Sequence, residues 1–161
     1  MANPNMYKLV EFDDTAIGAI ETFYSDIDGL AEEAREVVES APESLKSAAR
    51  IQTMSDSADT LERIELPYIP DDAPDIKIKV KLHRPKRKAD NTSRATRCEN
   101  AALVADAGIS AIEGWIAEMK EAEGERSDDE RAKIDEWQTF VDAVREHIAE
   151  TESVEFPGMR G

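Results

Sequence analysis

Four stretches of this chain carry apolar residues at alternating steps of three and four, the spacing of a helix packed along a partner. The first runs through Ile17, Ile20, Tyr24, Ile27, Ala31, Ala34 and Val38. Asp13-Asp14-Thr15 ahead of it supplies N-cap chemistry and acids at the positive end of the helix dipole. Ser40 and Pro42 then predict a second helix, with Ser40 as its cap, Leu45 and Ala48 in its first turns and a seam of Ile51, Met54, Ala58 and Leu61. So short a connection makes the two helices an antiparallel hairpin.

The same logic returns in the second half. Thr92 or Ser93 caps a helix with the seam Cys98, Ala101, Ala105, Gly108, Ile112, Trp115, Met119 and Ala122. Small residues early in that seam predict a close backbone approach at one end. Gly124-Glu125-Arg126 makes a turn, and Ser127 with Glu130 three residues later forms a capping box. The last helix has the seam Ile134, Trp137, Val141, Val144, Ile148 and Thr151, with both tryptophans expected inside the second hairpin.

Between the hairpins the period changes. After prolines at 67, 70 and 74, Ile76, Ile78, Val80 and Leu82 alternate with Lys77, Lys79, Lys81 and His83. Period two over eight residues is a half-buried strand with its lysines facing water. Met6 to Phe12 alternates more weakly and is the natural strand to pair with it. The expected fold is mainly α: two helical hairpins, as a four-helix bundle or splayed apart, around a short central strand. One domain spans 1–161. It comprises a first hairpin at 13–65, a proline-rich loop, basic strand and basic loop at 66–91, a second hairpin at 92–152 and a tail at 153–161.

Charge sharpens the picture. The chain has 20 Lys and Arg against 36 Asp and Glu, a net charge of -16 and a pI near 4.5. Yet residues 77–97 hold nine bases (Lys77, Lys79, Lys81, Arg84, Lys86, Arg87, Lys88, Arg94 and Arg97) and one acid, Asp90. A surface this negative repels nucleic acid and anionic membranes and attracts basic proteins. No aromatic residue interleaves the basic run to stack on bases, so direct nucleic-acid binding takes second place to balancing the acidic body. The single cysteine excludes an intrachain disulfide and a cysteine-based zinc cluster. The N-terminus lacks the basic and apolar regions of a signal peptide, and no apolar run approaches the length of a membrane span. The expectation is a soluble cytoplasmic protein.

Catalytic chemistry is hard to assemble from these residues. His83 sits among lysines and makes a poor base, while His147 lies at the border of the last seam. Cys98 reads as a small core residue. Neither histidine has a Glu three residues before it, which removes the metal motif of carboxylate-bridged bundles. Asp26-Ile27-Asp28-Gly29 falls inside a helical stripe and lacks the later ligands of a calcium loop. Glu32, Glu33 and Glu36 resemble the EExxE element of all-α nucleotide pyrophosphatases, with Asp56 and Asp59 as the only second element. By the heptad, however, all five face water and diverge. The sequence therefore points to no catalytic residue, metal or cofactor.

Four pieces, "APESLKSAAR" at 41–50, "LERIELPYIP" at 61–70, "TSRATRCENA" at 92–101 and "EFPGM" at 155–159, resemble small helical accessory proteins of bacteriophages and mobile elements. That resemblance implies a phage accessory protein at work in the host cytoplasm, and implies no activity. The expected function is non-catalytic: binding a host or viral protein through charged helical surfaces. Its sharpest form is an acidic, DNA-mimic inhibitor of a nucleic-acid-binding or defence protein. The interaction residues are Lys77, Lys79, Lys81, Arg84, Lys86, Arg87 and Lys88 on the basic segment and Glu32, Glu33 and Glu36 on the first helix. A homo-oligomeric assembly protein and a magnesium-dependent pyrophosphatase are the alternatives.

Overall fold

Thr15 turns the chain from strand to helix. In the computed structural model, which describes residues 7–85, 92–122 and 127–157, its hydroxyl accepts the Gly18 N–H at 3.0 Å. That cap closes β1 (Tyr7–Thr15) and opens α1 (Ala16–Ser40). A 3₁₀ turn at Glu43–Leu45 precedes α2 (Ala49–Glu62). Then come β2 (Lys77–Pro85), α3 (Arg94–Glu121) and α4 (Asp128–Glu152).

The expected strand pair forms. β1 and β2 are antiparallel over their full lengths, from Tyr7 opposite Pro85 to Thr15 opposite Lys77. β1 outruns the stretch that alternation marks, continuing through Asp13 and Asp14 because Lys79 and Ile78 lie opposite. β2 runs through the alternating residues and ends at Pro85, which has no N–H to continue the ladder. Met6, placed in the strand by its pattern, lies outside the described residues, as do the basic loop at Lys86–Lys88 and the turn at Gly124–Arg126.

Helix α1 is the centre of the molecule. It packs against α2 on one side and α3 on the other, α3 packs in turn on α4, and α2 meets α4 only briefly. Arg97 meets Glu33 while Gly108 meets Ala16, and Cys98 meets Thr151 while Trp115 meets Trp137, so α3 runs antiparallel to both α1 and α4. Two covered sides explain why α1 buries a second row, Ala16, Ala19, Phe23 and Leu30, beside its predicted seam. The predicted close approach lies between α1 and α3. A Cβ on Gly108 would stand 2.7 Å from the Ala16 carbonyl oxygen and 3.1 Å from Ile20 Cγ1. Only glycine fits there.

Three details differ from expectation. Ser40 does not cap α2 but closes α1, its hydroxyl donating to the Glu36 carbonyl at 2.7 Å. Helix α2 starts at Ala49 without a side-chain cap, and Leu45 is exposed in the intervening turn. On α3 the inward row beyond Gly108 is Ile109, Ile112 and Ile116, so Trp115 is only half-buried while Trp137 is fully buried. The two rings still meet edge to face at 5.3 Å, with the Lys133 ammonium 5.6 Å from the centroid of Trp115.

Two further contacts close the bundle. Tyr24 on α1 shares a 2.6 Å hydrogen bond with His147 Nδ1 on α4, and burial raises the Tyr24 pKa well above its ordinary range. Beyond α4, the Glu155 carbonyl accepts the Ser57 hydroxyl of α2 at 2.6 Å. Phe156 packs against both the main core and the small Ala34–Met54–Ala58 cluster. Among the described residues, no helix is long and apolar enough to cross a membrane.

Candidate interaction surfaces

The register of the ribbon decides what the lysines do. Odd-numbered residues of both strands share the outer face, which places Glu11 opposite Lys81 and Asp13 opposite Lys79. Lys79 Nζ lies 3.8 Å from Glu11 Oε1, and Lys77 Nζ lies 3.6 Å from Asp75 Oδ1. These pairs are exposed and each stabilises little. Their effect is to balance the lysine row against acids of the same ribbon. Arg84 stands opposite Lys8 and near Asp26. Burial pushes the Asp26 carboxyl up, against the downward pull of Arg84 and Arg97. Lys86, Arg87 and Lys88 lie outside the described residues.

The α1 acids separate. Glu32 and Glu36 are exposed, as the heptad implies. Glu33 is not: it turns toward α3, where Arg97 grips it with two hydrogen bonds of 2.6 and 2.7 Å and Arg94 Nε approaches to 3.4 Å. The bidentate guanidinium holds the Glu33 carboxyl below its usual range. The heptad of α1 alone cannot show this, because the cause is a helix some sixty residues away in sequence that docks against that side. Asp59 instead joins Arg35, which also forks onto Glu62 at 2.9 and 3.0 Å. One acid from each half of the pyrophosphatase-like pattern thus pairs with a different arginine, Glu33 with Arg97 and Asp59 with Arg35, while Glu32, Glu36 and Asp56 are exposed. Among the described residues no three His, Cys, Asp or Glu side chains stand together as a metal site.

Cys98 is buried, and burial pushes its thiol up to about 11. It forms the floor of a groove of about 520 Å³ between α3 and the end of α4, walled by Ala102, Leu103, Val154 and Phe156. A smaller cavity of about 260 Å³ lies under the ribbon between Phe12, Asp26, Leu82 and Arg97.

Helix α4 carries nine acids (Asp128, Asp129, Glu130, Asp135, Glu136, Asp142, Glu146, Glu150 and Glu152) against three bases. All but Glu150 are exposed. Of those bases, Arg145 turns to Glu113 and Asp106 of α3, and Lys133 to Asp72. Asp128, Asp135, Asp142 and Glu146 follow steps of seven, seven and four. At about 1.5 Å rise per residue they stand roughly 10, 10 and 6 Å apart along one side of the helix. Compared with family models, with curated proteins and with solved structures, this chain finds no match.

Proposed function

We propose that this is a non-catalytic accessory protein of phage type that binds a basic protein partner, such as a nucleic-acid-binding or defence protein, through the acidic face of α4. One observation supports the reading: the charges are segregated. Several described cations pair with acids of the fold, Arg35 with Asp59 and Glu62, Arg94 and Arg97 with Glu33, Lys79 with Glu11 and Arg145 with Glu113, while Arg131 of α4 is exposed. The column Asp128, Asp135, Asp142 and Glu146 is exposed to solvent. Such a column is complementary to a cationic groove and acts through long-range attraction.

The test is a pull-down of basic DNA-binding proteins at low and high salt. It compares the intact chain with a variant in which Asp135, Asp142 and Glu146 are replaced by Asn, Asn and Gln. The Debye length falls from about 10 Å at 0.1 M to about 3 Å at 1 M salt. Proteins held by α4 are therefore lost at high salt, lost in the variant, and displaced by duplex DNA. Equal retention by both chains at low salt would reject this surface.

A further inference from the structure

The two-stranded ribbon has two edges, and they differ. In an antiparallel pair, residues alternate between those that exchange backbone hydrogen bonds with the partner strand and those whose N–H and C=O turn outward. The 2.7 Å bond from Ala16 N–H to the Ile76 carbonyl continues the same register and fixes the phase. Even-numbered pairs bond across the ribbon. Leu9, Glu11 and Asp13 of β1, and Lys79, Lys81 and His83 of β2, therefore direct their backbone groups away from it.

On β2 that edge is closed at His83. Its N–H donates to Asn100 Oδ1 at 3.2 Å, and its carbonyl accepts Asn100 Nδ2 at 2.8 Å. A single side-chain amide of α3 thus takes the place of a third strand, and lysines line the remainder. On β1 the Thr15 N–H is covered by Asp14 Oδ1 at 2.7 Å. From Leu9 to Asp13 no third strand lies alongside among the described residues, and Leu9, Val10, Glu11 and Asp13 are exposed.

We propose that the outer edge of β1 receives an extended segment of a partner protein that carries Lys or Arg at alternate positions, adding a third strand to the ribbon. The outward face of β1 presents Glu11 and Asp13, and its core-side face Val10 and Phe12. A segment with cations beside the acids and apolar side chains beside Val10 and Phe12 repeats on the free edge what β2 supplies on the other. There the pairs are Lys81 with Glu11, Lys79 with Asp13 and Val80 with Phe12. A second copy fits worse. Pairing β1 with its own twin sets acids against acids, and the β2 of another copy brings its α3 along through Asn100. The net charge of -16 adds a long-range pull on a basic segment. This proposal rests on the strand edge and is independent of the α4 surface.

The probe is a short blocked peptide alternating lysine and valine, with a glutamate–valine peptide as control, added to the full chain and followed by amide proton–nitrogen spectra. The lysine peptide is expected to shift the amides of Leu9, Glu11 and Asp13 and to slow their hydrogen exchange about tenfold. Glu11→Pro removes one outward N–H while leaving the β1–β2 bonds intact, as proline does at a sheet edge. It is expected to weaken the peptide about tenfold. Replacing Asp135, Asp142 and Glu146 on α4 is expected to change the affinity by less than about twofold, which separates this edge from the helical surface. Should Glu11→Pro fail to fold, Glu11→Lys is expected to weaken binding through repulsion alone. Four outcomes overturn the proposal: binding without change at the β1 amides, wild-type affinity in the Glu11 variants, equal binding of the glutamate peptide, or sedimentation showing self-association through this edge.

Discussion

Gly108 and Gly29 show how little a residue type says without its surroundings. Both interrupt helices, and propensity alone favours alanine at each by up to about 1 kcal/mol. Around Gly29 a Cβ meets nothing within 4 Å, whereas at Gly108 it meets the Ala16 carbonyl at 2.7 Å. Gly29→Ala is therefore expected to stabilise by up to about 1 kcal/mol. Gly108→Ala is expected to destabilise by about 1–3 kcal/mol, because α1 and α3 must separate. Thermal or urea melts of the two variants check both signs, and a stabilised Gly108→Ala would mean the helices do not touch there. The crowding of small residues early in the α3 seam was legible beforehand, since Cys98, Ala101, Ala105 and Gly108 share one row. The partner was not legible: the seam reads as facing α4, yet Gly108 serves the contact with α1. Glu33 escaped for the same reason, its arginines belonging to another helix.

At the scale of elements, alternation and three-four spacing located both strands and all four helices. Where they erred, the cause was a tertiary contact or a local competitor. Pairing with Lys79 and Ile78 extends β1 past Phe12, and the 3₁₀ turn delays α2 past Ser40 and Pro42. The ribbon supports a sharp comparison of neighbouring residues. Ile78 is buried on its core side, while the Lys79 side chain is 71% exposed. Ile78→Asp is expected to cost several kcal/mol, since it sets an unpaired carboxylate against the core. Lys79→Asp leaves the fold in place but is expected to cost up to about 1 kcal/mol, because it faces Asp13 directly across the pair. Circular dichroism melts distinguish them, and equal melting temperatures would contradict the register.

For the whole molecule, the mainly α class and the two hairpins follow from periodicity, because each hairpin is a local event. The order in which the hairpins meet does not, because it depends on which faces of α1 are doubly apolar. The candidate surfaces were legible only as composition. Acid richness was plain, but the pairing of lysines with β1 needed the register. Closure of the bundle rests on the chain beyond α4, where Phe156 spans both apolar clusters and the Glu155 carbonyl holds Ser57. Phe156→Ala is expected to cost about 1–3 kcal/mol, less than for a fully buried phenylalanine. It should speed amide exchange in α2 more than in α3 or α4. Uniform exchange across all helices would show that α2 is held by α1 alone.

The central place of α1 also governs how the protein is made. The helix leaves the ribosome first among the four, yet β1 waits for a strand some seventy residues later, and its second apolar side waits for α3. Synthesis at about 5–20 residues per second leaves that side uncovered for several seconds. In that interval the half-made chain carries a sticky helix and an unpaired strand together. Such early segments invite chaperone capture, and ribosome-bound chains stalled near residue 80 should be the ones that chaperones hold.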